Sequence, residues 1–149
     1  MNSKFRVLLA LENEAINEQV HYLLSEHYDV RTAHDADDVY HLIHTFQPWL
    51  AVLDYNLTTI NPIDLHEGVE FLHPQTKFVI CVTTENLEVA RRVWCKRAID
   101  YIRKPIDQYR IRDDINKIVR HIIDQHEIRT LETKITAFEK ENEKLRRLL

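Results

Sequence analysis

One glycine in 149 residues, Gly68, leaves this chain without a glycine-rich phosphate loop. The P-loop and dinucleotide-binding fingerprints need several glycines for close backbone approach, so both are excluded. Two cysteines, Cys81 and Cys95, are too few for a disulfide framework, and a reducing cytoplasm is the expected home. Cys81 lies inside an apolar run and reads as a small core residue. No apolar run approaches the roughly 20 residues that span a bilayer, so no membrane partner is expected. Met1-Asn2-Ser3-Lys4 leads straight into a strand-like segment, so no signal peptide is expected. A net charge of -4 argues against direct nucleic-acid binding by bulk electrostatics. His41 and His44 lie one turn apart on an expected helix, but no cysteine or third ligand accompanies them, so zinc is not expected.

What is present suits a soluble globular chain of one domain with an appendage. Phe5 to Leu11 is a short apolar run, as expected of a strand buried on both faces. Ile16, Val20, Leu23 and Leu24 then recur at helical spacing. Tyr28 to Ala33 reads as a second strand, and Val39, Leu42, Ile43 and Phe46 mark a helix that Pro48 ends. Trp49 to Leu53 is a third strand, closed by Asp54. A short helix is expected over Ile63 to Leu72, a fourth strand over Lys77 to Val82, and a helix through Leu87, Ala90, Val93 and Trp94. Ala98 to Ile102 is a fifth strand, followed by Lys104-Pro105, and the chain is helical from about Asp107. Five strands alternating with five helices predict a parallel sheet covered on both faces.

In such folds the site lies outside the C-terminal strand ends, where strand order reverses. Glu12 follows the first strand, Asp54 the third, Thr83 the fourth and Lys104 the fifth. Each alone has a bland explanation, because an acid after a strand often caps the next helix and a terminal threonine or lysine is often solvated. Together they form a chemically coherent set. Two carboxylates can hold a divalent cation such as Mg²⁺ through oxygen ligands. The aspartate can then attack a phosphoryl group, while the ammonium and hydroxyl bind its oxygens.

These residues resemble a response-regulator receiver domain over roughly Lys4 to Ile123. Asp54-Tyr55-Asn56-Leu57 is similar to the phospho-acceptor segment, and Val82-Thr83-Thr84-Glu85 to the segment that bears the switch hydroxyl. Asp100-Tyr101-Ile102-Arg103-Lys104-Pro105 resembles the segment with the aromatic switch, the lysine and a proline after a cis peptide bond. The resemblance implies a flavodoxin-like, doubly wound α/β sheet of order 2-1-3-4-5 with five helices. It also implies a signalling module rather than an enzyme. A histidine kinase would be its partner, with phosphotransfer to Asp54 and contacts from Thr83, Thr84 and Lys104. Thr83 and Tyr101 would move together on phosphorylation. Glu12, Asp54 and the Asn56 carbonyl would bind Mg²⁺.

Departures from the pattern matter. The family has two adjacent acids after the first strand, and matching the following helix places Leu11 at the first and Glu12 at the second. One charge is lost, so Mg²⁺ binding is expected to weaken by one or two orders of magnitude if that contact is worth about 1.5–3 kcal/mol. Slipping the alignment by one makes Glu12-Asn13 the pair instead. Thr58 and Thr59 replace the usual proline and glycine after Asp54, and Arg97 replaces a glycine before the fifth strand, so that loop is expected to be stiffer or differently shaped. In the family, the positions of Asn56 and Glu85 govern access of water to the acyl phosphate, and polar residues at both imply a short-lived phosphoryl state. Two rival readings stay open: a degenerate receiver acting as a phosphorylation-independent dimerisation module, supported by Leu11, and a flavodoxin-like cofactor binder, which lacks a polar phosphate loop.

The C-terminal helix carries two stripes. Ile111, Ile115, Ile118 and Ile122 form the face expected to lie on the sheet. Ile128, Leu131, Ile135, Phe138, Asn142, Leu145 and Leu149 follow a 3-4-3-4-3-4 spacing, a heptad with Asn142 at one inner position. The stripes lie about 120° apart on a continuous helix. In a parallel homodimer Lys134 meets Glu139 and Glu141 meets Arg146, both attractive, while Glu127 meets Glu132 and repels. The alternative is a solvated tail folded back on its own domain. The domain reading is 1–123 for the receiver and 124–149 for the coil, with an effector domain missing or the coil itself as the output.

Overall fold

The computed structural model describes residues 4–57 and 76–149. The expected helix over Ile63–Leu72 and the expectations for Thr58 and Thr59 lie outside the described residues. In chain order the elements are β1 (Arg6–Ala10), α1 (Glu14–Leu24), β2 (Asp29–Thr32), α2 (Ala36–Phe46), β3 (Leu50–Asp54), β4 (Lys77–Val82), α3 (Leu87–Trp94), a short 3₁₀ turn (Cys95–Arg97), β5 (Ala98–Arg103) and α4 (Gln108–Leu148). The strands form one parallel sheet of order β2-β1-β3-β4-β5, the flavodoxin-like order that the resemblance implies. Order reverses between β1 and β3, and sheets of this kind place their sites beyond the C-terminal strand ends at that point.

The local causes are visible in the sequence. β3 is buried along its whole length, and β4 along all but Lys77, because both are central strands with neighbours on either side. The Oδ1 of Asn13 accepts from the Ile16 N–H at 3.1 Å and caps α1, and Asp35 Oδ1 caps α2 through the Asp38 N–H at 2.8 Å. α2 ends one residue earlier than Pro48 requires, with Gln47 in the left-handed region at φ 53°. One apolar cluster joins Leu8, Ala10, Val39, Ile43, Leu53, Phe78, Ile80 and Trp94. Trp94 packs on Phe78 with ring centroids 5.7 Å apart, as a packing residue does.

The loop before β5 carries a positive-φ residue other than glycine. The left-handed residue is Cys95, at φ 48° without a glycine, and Arg97 closes the 3₁₀ turn.

The chain divides into two compact units, Met1–Asp114 and Ile115–Leu149. The second is helical up to Leu148. Along it Ile128, Leu131, Ile135, Phe138 and Leu145 are 47–65% exposed, a line of large apolar side chains facing solvent. Among the described residues no helix is long and apolar enough to cross a membrane.

Candidate functional site

Asp54 closes β3, and its side chain is only 2% exposed. A carboxylate at that depth must have its oxygens satisfied. Lys104, just past β5, places Nζ 2.6 Å from Oδ1. The Asn56 N–H donates to the same oxygen at 3.0 Å, and the Glu12 N–H donates to Oδ2 at 3.0 Å. Lys104 is anchored in turn, since its own N–H donates to the Val82 carbonyl at 2.8 Å and extends the β4–β5 pairing by one step. The Lys104–Pro105 peptide is cis, as the resemblance implies.

Glu12 lies on the rim. Its carboxylate Oε2 accepts from Asn56 Nδ2 at 3.2 Å and lies 3.6 Å from Lys104 Nζ. Glu12, Asp54, Asn56 and Lys104 therefore form one network across three strand ends. Thr83, Thr84 and Tyr101 stand outside it. Thr83 follows β4, and its hydroxyl accepts from the Asn86 N–H at 3.3 Å. Thr84 is exposed in the turn that follows.

The β1–α1 loop places the two neighbours of Glu12 differently. Leu11 is buried at 3% exposure, while Asn13 is spent on capping α1. Leu11 thus contributes an apolar side chain to the core and no oxygen to the pocket.

Asn17 is not among the sequence-based candidates. It is buried, and its Oδ1 accepts from the Leu11 N–H at 3.3 Å, pinning the loop that aims the Glu12 N–H at Asp54. The signal was available: positions 17, 20 and 24 share one helical face, so Asn17 is a polar residue on the stripe of Val20 and Leu24.

Tyr101 lies on β5 with its hydroxyl buried and, among the described residues, without a hydrogen-bond partner, and the Arg91 guanidinium sits 6.0 Å from its ring centroid. Burial, with a further push from Cys95, raises the phenol above its ordinary value, against a downward pull from Arg91. The neutral phenol is therefore the form that folding favours. Its contribution is full below the ordinary phenol range and is lost as pH rises through the raised value. Replacing the orphaned hydroxyl should cost nothing. Tyr101→Phe is expected to unfold within about 0.5 kcal/mol of the parent or above it, and to lose this alkaline dependence, in denaturation followed by circular dichroism.

Cys81 pairs in register with Asp54 and is fully buried. Burial first, then the Asp54 charge, pushes its thiol far above the ordinary range, against a weaker opposing pull from Lys104. It is an inert core residue, as its setting in the sequence implied.

Removing one member of the buried pair leaves a charge behind. Lys104→Ala strips Asp54 of its ammonium and leaves it two main-chain N–H donors. The expected loss is about 2–3 kcal/mol, the lower part of the range for breaking a buried pair. Thermal denaturation should show it as a fall of about 10 °C.

The response regulator receiver domain family matches residues 7–116. The sensory transduction protein LytT of Oceanobacillus iheyensis is 23% identical over 118 residues, covering 77% of this chain and 48% of that protein. The chain thus spans about half the length of the curated relative it matches. Among solved structures, NtrX from Brucella abortus superposes with a TM-score of 0.73 at 25% identity, over 86% of this chain and 29% of that one. A CheY-like response regulator receiver domain protein from Methanospirillum hungatei gives 0.65 at 26% identity, over 84% and 98%. The family match runs from β1 into α4 and includes every strand end that builds the pocket, and on that ground the chain belongs to the response regulator receiver domain family.

Proposed function

We propose that this receiver takes a phosphoryl group from a histidine kinase onto Asp54 and signals through a dimeric C-terminal helix. The observation that carries the first half is the 2.6 Å contact of Lys104 Nζ with a buried Asp54 carboxylate. In the transfer an Asp54 oxygen attacks phosphorus, a P–O bond forms, and the P–N bond to the kinase histidine breaks. The imidazole leaves with the electron pair and takes up a proton. Lys104 is placed to neutralise a phosphoryl oxygen, and Thr83 and Thr84 on the neighbouring strand end are the hydroxyls proposed to donate to others.

The donor set suits Mg²⁺, which binds through one or two carboxylates and keeps several waters. Glu12, Asp54 and the Asn56 carbonyl would hold it, with one acid fewer because Leu11 is in the core. When bound, the ion offsets the negative charge of the incoming phosphoryl oxygens.

Tyr101 and Thr83 are the proposed switch pair. Residues 1–123 are taken as the receiver and 124–149 as the coil, in a cytoplasmic protein. The coil residues Ile128, Leu131, Ile135, Phe138, Asn142, Leu145 and Leu149 would form the homodimer seam, and an effector region in a longer protein is the proposed recipient of the signal. Intact mass after incubation with Mg²⁺ and a small phosphodonor, beside Asp54→Ala, tests this reading. Uptake by neither protein would leave a phosphorylation-independent dimerisation module.

A further inference from the structure

The two carboxylates of the pocket are held very differently. Asp54 is buried and bonded on both oxygens. Glu12 is the longer side chain, 60% exposed, and loses rotamer freedom whenever it is fixed. Lys104 Nζ lies 3.6 Å from Glu12 Oε2 but is already committed to Asp54 at 2.6 Å. Asn56 makes the closer contact with Glu12, through Nδ2 at 3.2 Å. Asn56 is itself a firm post. Its N–H is bonded to Asp54 Oδ1 at 3.0 Å, and the Leu57 N–H returns to the Asp54 carbonyl at 3.1 Å, closing the turn around it.

We infer that the Asn56 side-chain amide is a positioning residue for divalent-cation capture, holding Glu12 beside Asp54 and recovering part of the affinity lost with an apolar residue at position 11. The inference rests on the Mg²⁺ reading above and deepens it. The amide bonds Oε2, and among the described residues Oε1 is left to a cation. A fixed carboxylate loses less freedom on binding than a mobile one. An amide that instead competed with the cation for Glu12 would weaken binding. The two roles predict opposite signs.

The test is a titration of the full chain with MgCl₂, followed by amide chemical shifts, on the parent, Asn56→Ala, Glu12→Ala and the double variant. Far-UV circular dichroism checks that each is folded. Asn56→Ala is expected to weaken Mg²⁺ binding about 5-fold in the parent background and to change it less than 2-fold in the Glu12→Ala background, because its effect passes through Glu12. A purely structural disturbance would weaken both backgrounds equally. Unchanged or tighter binding by Asn56→Ala, or an equal loss in both backgrounds, overturns the positioning role and leaves the Mg²⁺ reading standing. A parent protein that binds no Mg²⁺ at tens of millimolar overturns both.

Discussion

Incubated with Mg²⁺ and a small phosphodonor, the protein is expected to gain one phosphoryl mass, and Asp54→Ala to gain none. The effect is all-or-none because, among the described residues, only Asp54 combines burial with a bonded ammonium at this site. Asp54 has Lys104 Nζ at 2.6 Å on one oxygen and the Glu12 N–H at 3.0 Å on the other. Glu12, the other acid, is mostly exposed and lies 3.6 Å from the same ammonium, so it lacks this preorganisation. Lys104→Ala separates the nucleophile from its electrostatic support. It leaves Asp54 in place but removes the donor to the developing phosphoryl charge, and it should slow uptake by about 10²-fold, the usual cost of losing one such donor. This variant must be assayed well below its lowered melting temperature. If the parent protein gains no mass while Mg²⁺ binds, the relay reading fails and the dimerisation module remains.

Light scattering is expected to report a dimer for the full chain and a monomer when the residues after Gln125 are removed. The exposed line of Ile128, Leu131, Ile135, Phe138 and Leu145 is a large apolar surface for an isolated helix to leave in water. A second copy in parallel register would cover it and match two of three interchain charge pairs. Ile135→Asp puts a charge in the middle of that seam and should weaken dimerisation by at least about 10²-fold. Asn142→Ile tests register in the other direction. It should tighten association while allowing larger assemblies, because the buried polar pair no longer selects two strands. A monomeric parent at hundreds of micromolar, with the helix intact by circular dichroism, would leave the stripe as a solvated tail.

Much of the fold was legible from short-range pattern. Central strands announce themselves as unbroken apolar runs, as Val52–Leu53 and Val79–Val82 do, because both of their faces are covered. Strand ends differ from the reading by a residue or so: β1 runs from Arg6 to Ala10 rather than from Phe5 to Leu11. Polar residues on buried stripes were harder to see. The apolar spacing marks Ile16 and Leu23, which are only half-buried, while Asn17 shares the buried face of positions 20 and 24. The positive φ of Cys95 was not legible, because an ordinary side chain carries no mark of it.

The alternation of strands and helices, the family, and the choice of Asp54 and Lys104 as partners were all written in the linear chain, since periodicity and strand-end chemistry are properties of a few neighbouring residues. The folded molecule alone decided three further things. Leu11 enters the core while the Asn13 side chain caps a helix. The amide of Asn56 reaches across to Glu12, 44 residues away, and a main-chain N–H completes the bonding of Asp54. The hydroxyl of Tyr101 is left buried and, among the described residues, without a partner. Each depends on which strands lie side by side and how their loops close, and directions in space of that kind are set by packing over long separations, not by any local run of residues.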